Sequence, residues 1–291
     1  MMFQQSSRSL LDASKKSSSF RWTSSVGRTF SSRSPQDWVT TEETDDPSIA
    51  ILKMNRAPAN TLSLEMCTEI SKAIKELESN KKTQAVILTS SLPTIFSAGL
   101  DLTELHNPDK DRLPAFWGAF QQLYFDLYGS RLATIGAING HAPAAGCMLA
   151  LSCDYRIMSK GNIGLNESKL GICAPPWLGQ QFIDTIGLRK AELALNMGTL
   201  FDTKAALDIG LIDEIVGEDD VMDVAKTRAS QWVAIPAPAR VACKELTRGR
   251  QLNELKENRK QDVDHFCSFV NQEAMQRNLG FYFEQLAKRK K

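Results

Sequence analysis

The chain has 291 residues, of which 42% are hydrophobic and 24% are charged, a composition typical of globular proteins. No run of about 18 consecutive apolar residues occurs, so we expect no transmembrane segment. The 35 basic and 34 acidic residues give a formal charge of +1, which argues against a nucleic-acid binder with a broadly basic surface.

The first 34 residues differ in composition from the rest of the chain. They contain six basic residues, a single acid and twelve serines, and they lack the apolar run of a secretory signal. This composition is typical of an organelle transit peptide, although a disordered basic tail is similar. Because Arg28-Thr29-Phe30-Ser31-Ser32 is similar to a mitochondrial processing site, we expect a leader over residues 1–34 that directs the protein to the mitochondrial matrix.

Short strands and helices alternate over the next part of the chain. Apolar runs of strand length predict strands at 49–54, 83–89, 133–138 and 155–158. Helical spacing of apolar residues predicts helices at 63–78, with Ser63 as N-cap, at 112–128 and at 144–151. This alternation is typical of an α/β fold whose sheet is covered on both faces.

From Leu178 onward the pattern is almost entirely helical. The predicted helices are 178–186, 189–197, 203–209, 219–234, 237–249 and 253–288, with one late strand at 211–216. We therefore expect an α/β core over residues 35–200, which contains the active site, and a helical C-terminal region over residues 201–291.

The cysteines and histidines do not form a recognisable metal or redox motif. The six cysteines contain no C-x-x-C pair, and the three histidines are scattered, so no metal site is expected. We interpret the cysteines as reduced core residues, which agrees with a reducing compartment. Hydrolase, phosphate-loop and dinucleotide motifs are also missing from the sequence.

Two loops of small residues are candidates for chemistry, Ser97–Asp101 and Asn139–Cys147. Each follows a predicted strand and precedes a predicted helix, where small residues let a ligand approach backbone N–H groups that lack partners. Two such loops in one domain can direct two N–H donors at one carbonyl oxygen, which stabilises an enolate. An ordinary strand-to-helix turn has the same composition, so neither loop is specific by itself.

The third candidate is Ile163–Ile172, where Glu167 lies among apolar and glycine residues. Burial of this carboxyl group would raise its pKa towards a value suited to a general base. A solvated glutamate on a turn is the alternative. His141, a single histidine on a loop, is expected to have a structural role.

Together the three segments resemble the crotonase (enoyl-CoA hydratase/isomerase) superfamily over residues 47–290. The family pattern F-x-A-G-x-D-[LI] is present at Phe96–Leu102, and N-G-x-x-x-[GA]-[GA]-G is present at Asn139–Gly146. Segments Gly164–Glu167 and Leu170–Leu178 are similar to the delta isomerase subgroup. The resemblance implies a spiral core of repeated ββα units with a helical C-terminal region that forms a homotrimer.

The resemblance also implies the site residues. The backbone N–H groups of Leu100 and Ala145 correspond to the oxyanion hole, and Glu167 corresponds to the catalytic carboxylate. Ala145 departs from the usual glycine, so a methyl group faces the site. The implied substrate-binding residues are Ala98, Gly99, Leu100, Asp101, Leu102, Ala145 and Asn166.

Met148 decides between the reactions of the superfamily, because hydratases place a second glutamate at this position. With one carboxylate, the resemblance implies that Glu167 moves a proton from C2 to C4 of a 3-enoyl-CoA, giving a trans-2-enoyl-CoA in β-oxidation. CoA is then part of the substrate, and no other cofactor is needed. Arg56 and basic residues of the C-terminal helices are candidates for the CoA phosphates.

Two alternatives remain open at this point. One is an enoyl-CoA hydratase or another crotonase-type enzyme, which Met148 disfavours. The other is a non-catalytic scaffold that binds acyl-CoA or RNA, which the retained Glu167 and the slightly acidic residues 35–291 disfavour. The resemblance also implies that the C-terminal helices form the trimer interface and help to cover the acyl pocket. Core packing within one subunit would use the same apolar residues: Phe266, Phe269, Val270, Leu279, Phe281, Phe283 and Leu286.

Overall fold

The computed structural model describes residues 38–289. The predicted leader and its processing site near Phe30 lie outside the described residues. Within the described part of the chain, no helix is both long and apolar enough to cross a membrane.

The described residues form nine strands and ten helices. The strands are β1 (Val39–Glu43), β2 (Ile49–Met54), β3 (Ala85–Ser90), β4 (Ala133–Ile138), β5 (Ala142–Pro143), β6 (Tyr155–Met158), β7 (Asn162–Gly164), β8 (Phe201–Asp202) and β9 (Glu214–Ile215). The helices are α1 (Leu64–Ser79), α2 (Arg112–Tyr128), α3 (Ala145–Leu151), α4 (Pro176–Ile186), α5 (Leu188–Met197), α6 (Thr203–Asp208), α7 (Val221–Val233), α8 (Ala237–Glu257), α9 (Arg259–Val270) and α10 (Glu273–Arg289).

Six strands form the main sheet in the order β1-β2-β3-β4-β6-β9. The β1–β2 pair is antiparallel, and every other pair of this sheet is parallel. A smaller sheet has the order β5-β7-β8. These sheets, together with the helical C-terminal part, confirm the predicted α/β fold class.

The main sheet is covered on both faces, as its apolar strands predict. Alternate residues of β3 enter different apolar clusters: Val86 and Leu88 belong to one, and Ala85 and Ile87 belong to the other. The first cluster includes the buried side chains of α1 and α2, whereas the second includes Ala225 of α7. Because successive side chains of a strand point to opposite faces, these helices lie on opposite sides of the sheet.

Most predicted elements are confirmed, and the differences have local causes. The hydroxyl of Ser63 accepts a hydrogen bond from the Met66 N–H at 3.3 Å and caps α1, as predicted. The predicted helix 253–288 is wrong, because the chain turns at Asn258 and Asn271, where α8 and α9 end. Strand β1 was not predicted, because its sequence VTTEE is mostly exposed and lacks an apolar run.

The cysteine prediction is partly wrong. Cys67, Cys147 and Cys153 are buried core residues, as expected, but Cys173 and Cys243 are exposed. Cys173 lies on the turn before α4 and Cys243 lies on α8. The local sequence around these two residues does not indicate whether their side chains are buried or exposed.

The region after residue 200 is joined to the sheet as well as to the helices. Strand β9 pairs with β6, and α7 packs on the sheet, whereas α8 is attached through the buried carboxylate of Asp154. This carboxylate forms ion pairs with Lys244 at 2.7 Å and with Arg248 at 2.8 Å. It also accepts the Thr134 N–H at 2.8 Å, so one side chain connects α8 to the start of β4. The boundary at residue 200 stays a prediction.

The apolar residues of the last helices have different environments. Phe266, Val270 and Leu279 are buried within the protomer, whereas Phe281 is 64% exposed. Core packing therefore accounts for part of this set.

We predict that Asp154→Ala lowers the free energy of unfolding by about 3–5 kcal/mol, because it leaves Lys244 and Arg248 without their buried partner. Chemical denaturation followed by circular dichroism measures this loss. As a control, Asp223→Ala on α7, whose side chain is 85% exposed, should change the free energy by about 0.5 kcal/mol or less. Equal effects of the two substitutions would contradict the proposed attachment of α8.

Candidate active site

The three candidate segments meet at one edge of the main sheet. The first follows β3, the second follows β4, and the third comes after β6 and the short β7. Because β3, β4 and β6 are neighbouring parallel strands, their carboxyl ends lie at the same edge. A cavity of about 390 Å³ opens there. It is lined by all but one of the residues predicted for the site: Ala98, Leu100, Asp101, Leu102, Ala145, Asn166 and Glu167.

The backbone around Leu100 is fixed on both sides by Leu62. The Leu62 N–H donates to the Gly99 carbonyl at 2.8 Å, and the Asp101 N–H donates to the Leu62 carbonyl at 2.9 Å. Pairing of this kind uses alternate residues, so the Leu100 N–H remains free for another acceptor. Within residues 38–289 it has none.

A second free donor comes from the turn before α3. Ala144 has φ 53° and ψ −125°, a conformation that a residue with a side chain adopts at a cost of about 1–3 kcal/mol. Its own N–H donates to the Gly164 carbonyl at 2.8 Å. The next N–H, that of Ala145, finds no acceptor in the part of the chain that the structure describes. Ala145 lines the cavity, and it stays a prediction that its methyl group faces the site.

Gly99 does not line the cavity but brings the two donors together. It has φ +91°, and a Cβ at this position would lie 2.9 Å from the Ala144 Cβ and 3.1 Å from the Ala145 nitrogen. Only a glycine allows this approach and this backbone angle. The free N–H groups of Leu100 and Ala145 therefore lie on adjacent segments at one side of the cavity.

Glu167 supplies a carboxyl group to the same cavity. It begins a short 3₁₀ turn, which is closed by a hydrogen bond from the Ile172 N–H to the Glu167 carbonyl at 3.1 Å. The residue as a whole is half-buried, but its Oε2 atom is buried and has no hydrogen-bond partner among the described residues. Burial raises the pKa of Glu167 to about 7. The sequence-based expectation of a buried carboxyl with a raised pKa is met.

Asp101 is the other acidic residue that lines this cavity, and its carboxylate already has ion-pair and hydrogen-bond partners. Burial favours its neutral form, but hydrogen bonds from Thr103 and the ion pair with Arg56 outweigh burial and lower the pKa of Asp101. The Asp101–Arg56 distance is 2.7 Å, and the guanidinium also donates to the Thr61 carbonyl and lies over the Trp38 ring. Arg56 is therefore committed to this network at the rim rather than free for a phosphate.

Two residues discussed from the sequence do not reach the cavity. Met148 is fully buried in α3 and belongs to the main apolar cluster. His141 is exposed, and its Nδ1 accepts the Asn162 N–H at 3.1 Å, a structural role as expected.

Sequence reasoning missed part of the apolar wall of the cavity, namely Trp117 and Phe120 on α2 and Leu178 on α4. The wall also includes Phe266 on α9 and Phe283 and Leu286 on α10, which were among the apolar residues named for the acyl pocket. Helical spacing marks such residues as buried but does not indicate which buried residues border a cavity. Their contribution depends on how the helices cross.

The chain matches the family model for enoyl-CoA hydratase/isomerase over residues 44–290. It belongs to the enoyl-CoA hydratase/isomerase family. The family expected from the motifs is thereby confirmed.

The chain is similar to both isomerases and hydratases of this family. Enoyl-CoA delta isomerase 1, mitochondrial, of Rattus norvegicus is 44% identical over 255 residues, which cover 87% of this chain and 88% of the relative. The crystal structure of human mitochondrial delta3-delta2-enoyl-CoA isomerase matches with a TM-score of 0.85 and 41% identity, covering 87% of this chain and 100% of that one. An enoyl-CoA hydratase from Bacillus halodurans matches with a TM-score of 0.76 and 25% identity, covering 84% and 99%.

We predict that Glu167→Gln stabilises the protein at pH 8.5 by up to about 3 kcal/mol and has little effect at pH 4. The pKa of Glu167 rises from 4.5 to about 7 on folding, so the folded state holds this proton more tightly. The resulting stability is present below pH 4.5 and is lost as the pH rises through 7. Denaturant unfolding at both pH values measures the difference. The exposed Glu257→Gln should show no such pH dependence, and an equal effect of Glu167→Gln at pH 4 and pH 8.5 would contradict this account.

Proposed function

We propose that this member of the family is an enoyl-CoA delta isomerase. It would convert a cis- or trans-3-enoyl-CoA into the trans-2-enoyl-CoA during mitochondrial β-oxidation of unsaturated fatty acids. One observation carries the proposal: among residues 38–289, Glu167 has a buried carboxyl oxygen, Oε2, without a hydrogen-bond partner, and it shares a cavity with the backbone N–H groups of Leu100 and Ala145, which have no acceptor there. The names of the similar isomerases support the same reaction.

The two N–H groups are suited to bind a thioester oxygen. In the proposed complex this oxygen accepts hydrogen bonds from Leu100 and Ala145. Removal of a proton from C2 places negative charge on the oxygen, so both hydrogen bonds strengthen as the dienolate forms. Each fixed donor of this kind contributes about 2.7–4 kcal/mol. Ala98, Asp101, Leu102 and Asn166, which line the cavity, complete the proposed binding residues around the thioester, and Gly99 acts through the backbone position of Leu100.

Glu167 would act as both base and acid. Its carboxylate takes the C2 proton, the C3–C4 double bond moves to C2–C3, and the protonated carboxyl returns the same proton to C4. Substrate and product are isomers, so no water or other reactant is consumed. A pKa near 7 suits this double role, because the group is then neither too weak a base nor too weak an acid.

A hydratase would need a second group to position and activate water. Met148 occupies the position at which hydratases carry the second glutamate, and Asp101 is held in an ion pair with Arg56. These two features favour isomerisation over hydration. The non-catalytic scaffold is disfavoured by the buried, unpaired carboxyl group, because burial of such a group costs stability unless it has a role.

CoA would be part of the substrate, and the proton shuttle uses no other cofactor. Among the described residues, no group of three His, Cys, Asp or Glu side chains is arranged to hold a metal ion. We also propose a homotrimer, and import into the mitochondrial matrix by a removable leader over residues 1–34. The leader composition and the mitochondrial names of the relatives support this location.

We predict that Glu167→Gln lowers the kcat/KM for isomerisation of trans-3-hexenoyl-CoA by about 10²–10⁴-fold, because the proton acceptor is removed. In the unchanged protein, kcat/KM should rise with pH around a midpoint near 7, since only the ionised carboxylate takes the proton. Spectrophotometric detection of the conjugated 2-enoyl thioester measures both. Glu257→Gln on the exposed face of α8 is the matched control and should retain full activity.

Other outcomes of this assay would contradict the proposal. Full activity of Glu167→Gln would refute the proton shuttle. Hydration of crotonyl-CoA at a rate comparable with isomerisation would favour the hydratase. Binding of acyl-CoA without turnover in the unchanged protein would favour the scaffold.

A further inference from the structure

The loop 96–101 leaves only one of its backbone N–H groups, that of Leu100, without an acceptor among residues 38–289. The other five N–H groups all have acceptors within 3.3 Å: the His141 carbonyl for Phe96 and Ser97, the Ala59 carbonyl for Ala98, the Ser97 hydroxyl for Gly99 and the Leu62 carbonyl for Asp101. Most buried N–H groups in proteins are paired in this way. The direction of the Leu100 N–H is therefore set by the acceptors of its neighbours.

Two of these acceptors, the carbonyls of Ala59 and Leu62, belong to the connection between β2 and α1, residues 55–63. Asn60 lies between them in the chain, is fully buried and has φ 48°. Asparagine adopts this left-handed conformation more readily than most residues that have a side chain. The turn at Asn60 thus allows both carbonyls to accept hydrogen bonds from the loop 96–101.

The amide group of Asn60 attaches this connection to its surroundings. Its nitrogen donates to the Phe96 carbonyl at 3.0 Å and to the Ser90 hydroxyl, at the end of β3, at 2.7 Å. Its Oδ1 accepts the Arg56 N–H at 2.7 Å, and the backbone carbonyl of Asn60 accepts a hydrogen bond from the Ser97 hydroxyl at 2.8 Å. One buried residue therefore joins the β2–α1 connection, the end of β3 and the loop 96–101.

We propose that Asn60 is a positioning residue for the isomerisation, because it holds the β2–α1 connection against the loop 96–101 and so fixes the direction of the Leu100 N–H. Asn60 does not line the cavity, so it acts through the acceptors of Ala59, Leu62 and Ser97 and not by contact with the substrate. This inference rests on the proposed function, but it concerns the oxyanion hole and not the proton shuttle of Glu167.

The kinetic test replaces Asn60 by glycine, which adopts φ 48° without strain but lacks the amide group. With trans-3-hexenoyl-CoA, we expect Asn60→Gly to lower kcat by about 10–100-fold with a much smaller change in KM, because a hydrogen bond to the thioester oxygen is strongest in the transition state. Asn107→Gly is the matched control, since Asn107 has φ 49°, is exposed and does not line the cavity. It should keep the kcat and KM of the unchanged protein.

An infrared measurement separates a positioning role from a merely structural one. Hexanoyl-CoA with carbon-13 in its thioester carbonyl has no double bond to move, and hydrogen bonds to its oxygen lower the C=O stretching frequency. We expect the bound ligand to have a lower frequency on the unchanged protein and on Asn107→Gly than on Asn60→Gly. Thermal unfolding checks that each variant is folded at the temperature of the measurement.

Ser97→Ala is a milder second variant, because loss of the Asn60 amide also destabilises the fold. It removes only the hydroxyl that joins the Asn60 carbonyl to the Gly99 N–H. We expect kcat and the carbonyl frequency to change in the same directions as in Asn60→Gly, but by less.

The results distinguish this inference from the proposed function. Normal hexenoyl turnover and an unchanged carbonyl frequency in both Asn60→Gly and Ser97→Ala would overturn the inference and leave the isomerase proposal standing. A loss of kcat without a change in the carbonyl frequency would also overturn it, since the hydrogen bonds to the oxygen would then be intact. No turnover of trans-3-hexenoyl-CoA by the unchanged protein would overturn both proposals.

Discussion

The close approach of Gly99 to the Ala144–Ala145 turn is the contact on which the site depends. Neighbouring parallel strands bring the two loops to the same edge of the sheet, but only a residue without a side chain lets their backbones touch. Leu62 fixes one loop through two hydrogen bonds, and the strained turn at Ala144 directs the other. The result is two N–H donors held in place before any ligand arrives. Donors fixed in this way need little reorganisation when charge develops on a bound oxygen.

The second feature of the site is the carboxyl group of Glu167, whose buried Oε2 atom has no hydrogen-bond partner among the described residues. Asp101 and Glu167 line the same cavity, yet only Asp101 has an ion pair and hydrogen bonds from neighbouring side chains. The two carboxyl groups therefore have pKa values displaced in opposite directions. The Asp101 carboxylate is held as an anion by Arg56, whereas burial raises the pKa of Glu167 to about 7. Pairs of acidic residues separated in this way identify acid and base roles in many active sites.

The sequence predicted the parts of this structure that depend on local pattern. Strand β4 and helix α1 were found because their apolar residues repeat with the right period and Ser63 provides a cap. The site segments were found because their glycines and small residues interrupt apolar elements, and the motif resemblance then related them to one family. The role of Asp101 in an ion pair with Arg56 was not predicted, because the two residues are far apart in the chain. Nor was the stacking of the Trp117 ring on the Phe266 ring in the wall of the cavity, since it depends on how α2 and α9 cross.

The central claim is that one buried carboxyl group carries the proton from C2 to C4. It is tested most directly by a single turnover, in ordinary water, of a 3-enoyl-CoA with deuterium at both C2 positions. Because Glu167 Oε2 is shielded from solvent, the account predicts that a substantial fraction of the product carries deuterium at C4, as measured by mass spectrometry and NMR. A product in which the hydrogen newly added at C4 comes entirely from water would contradict it.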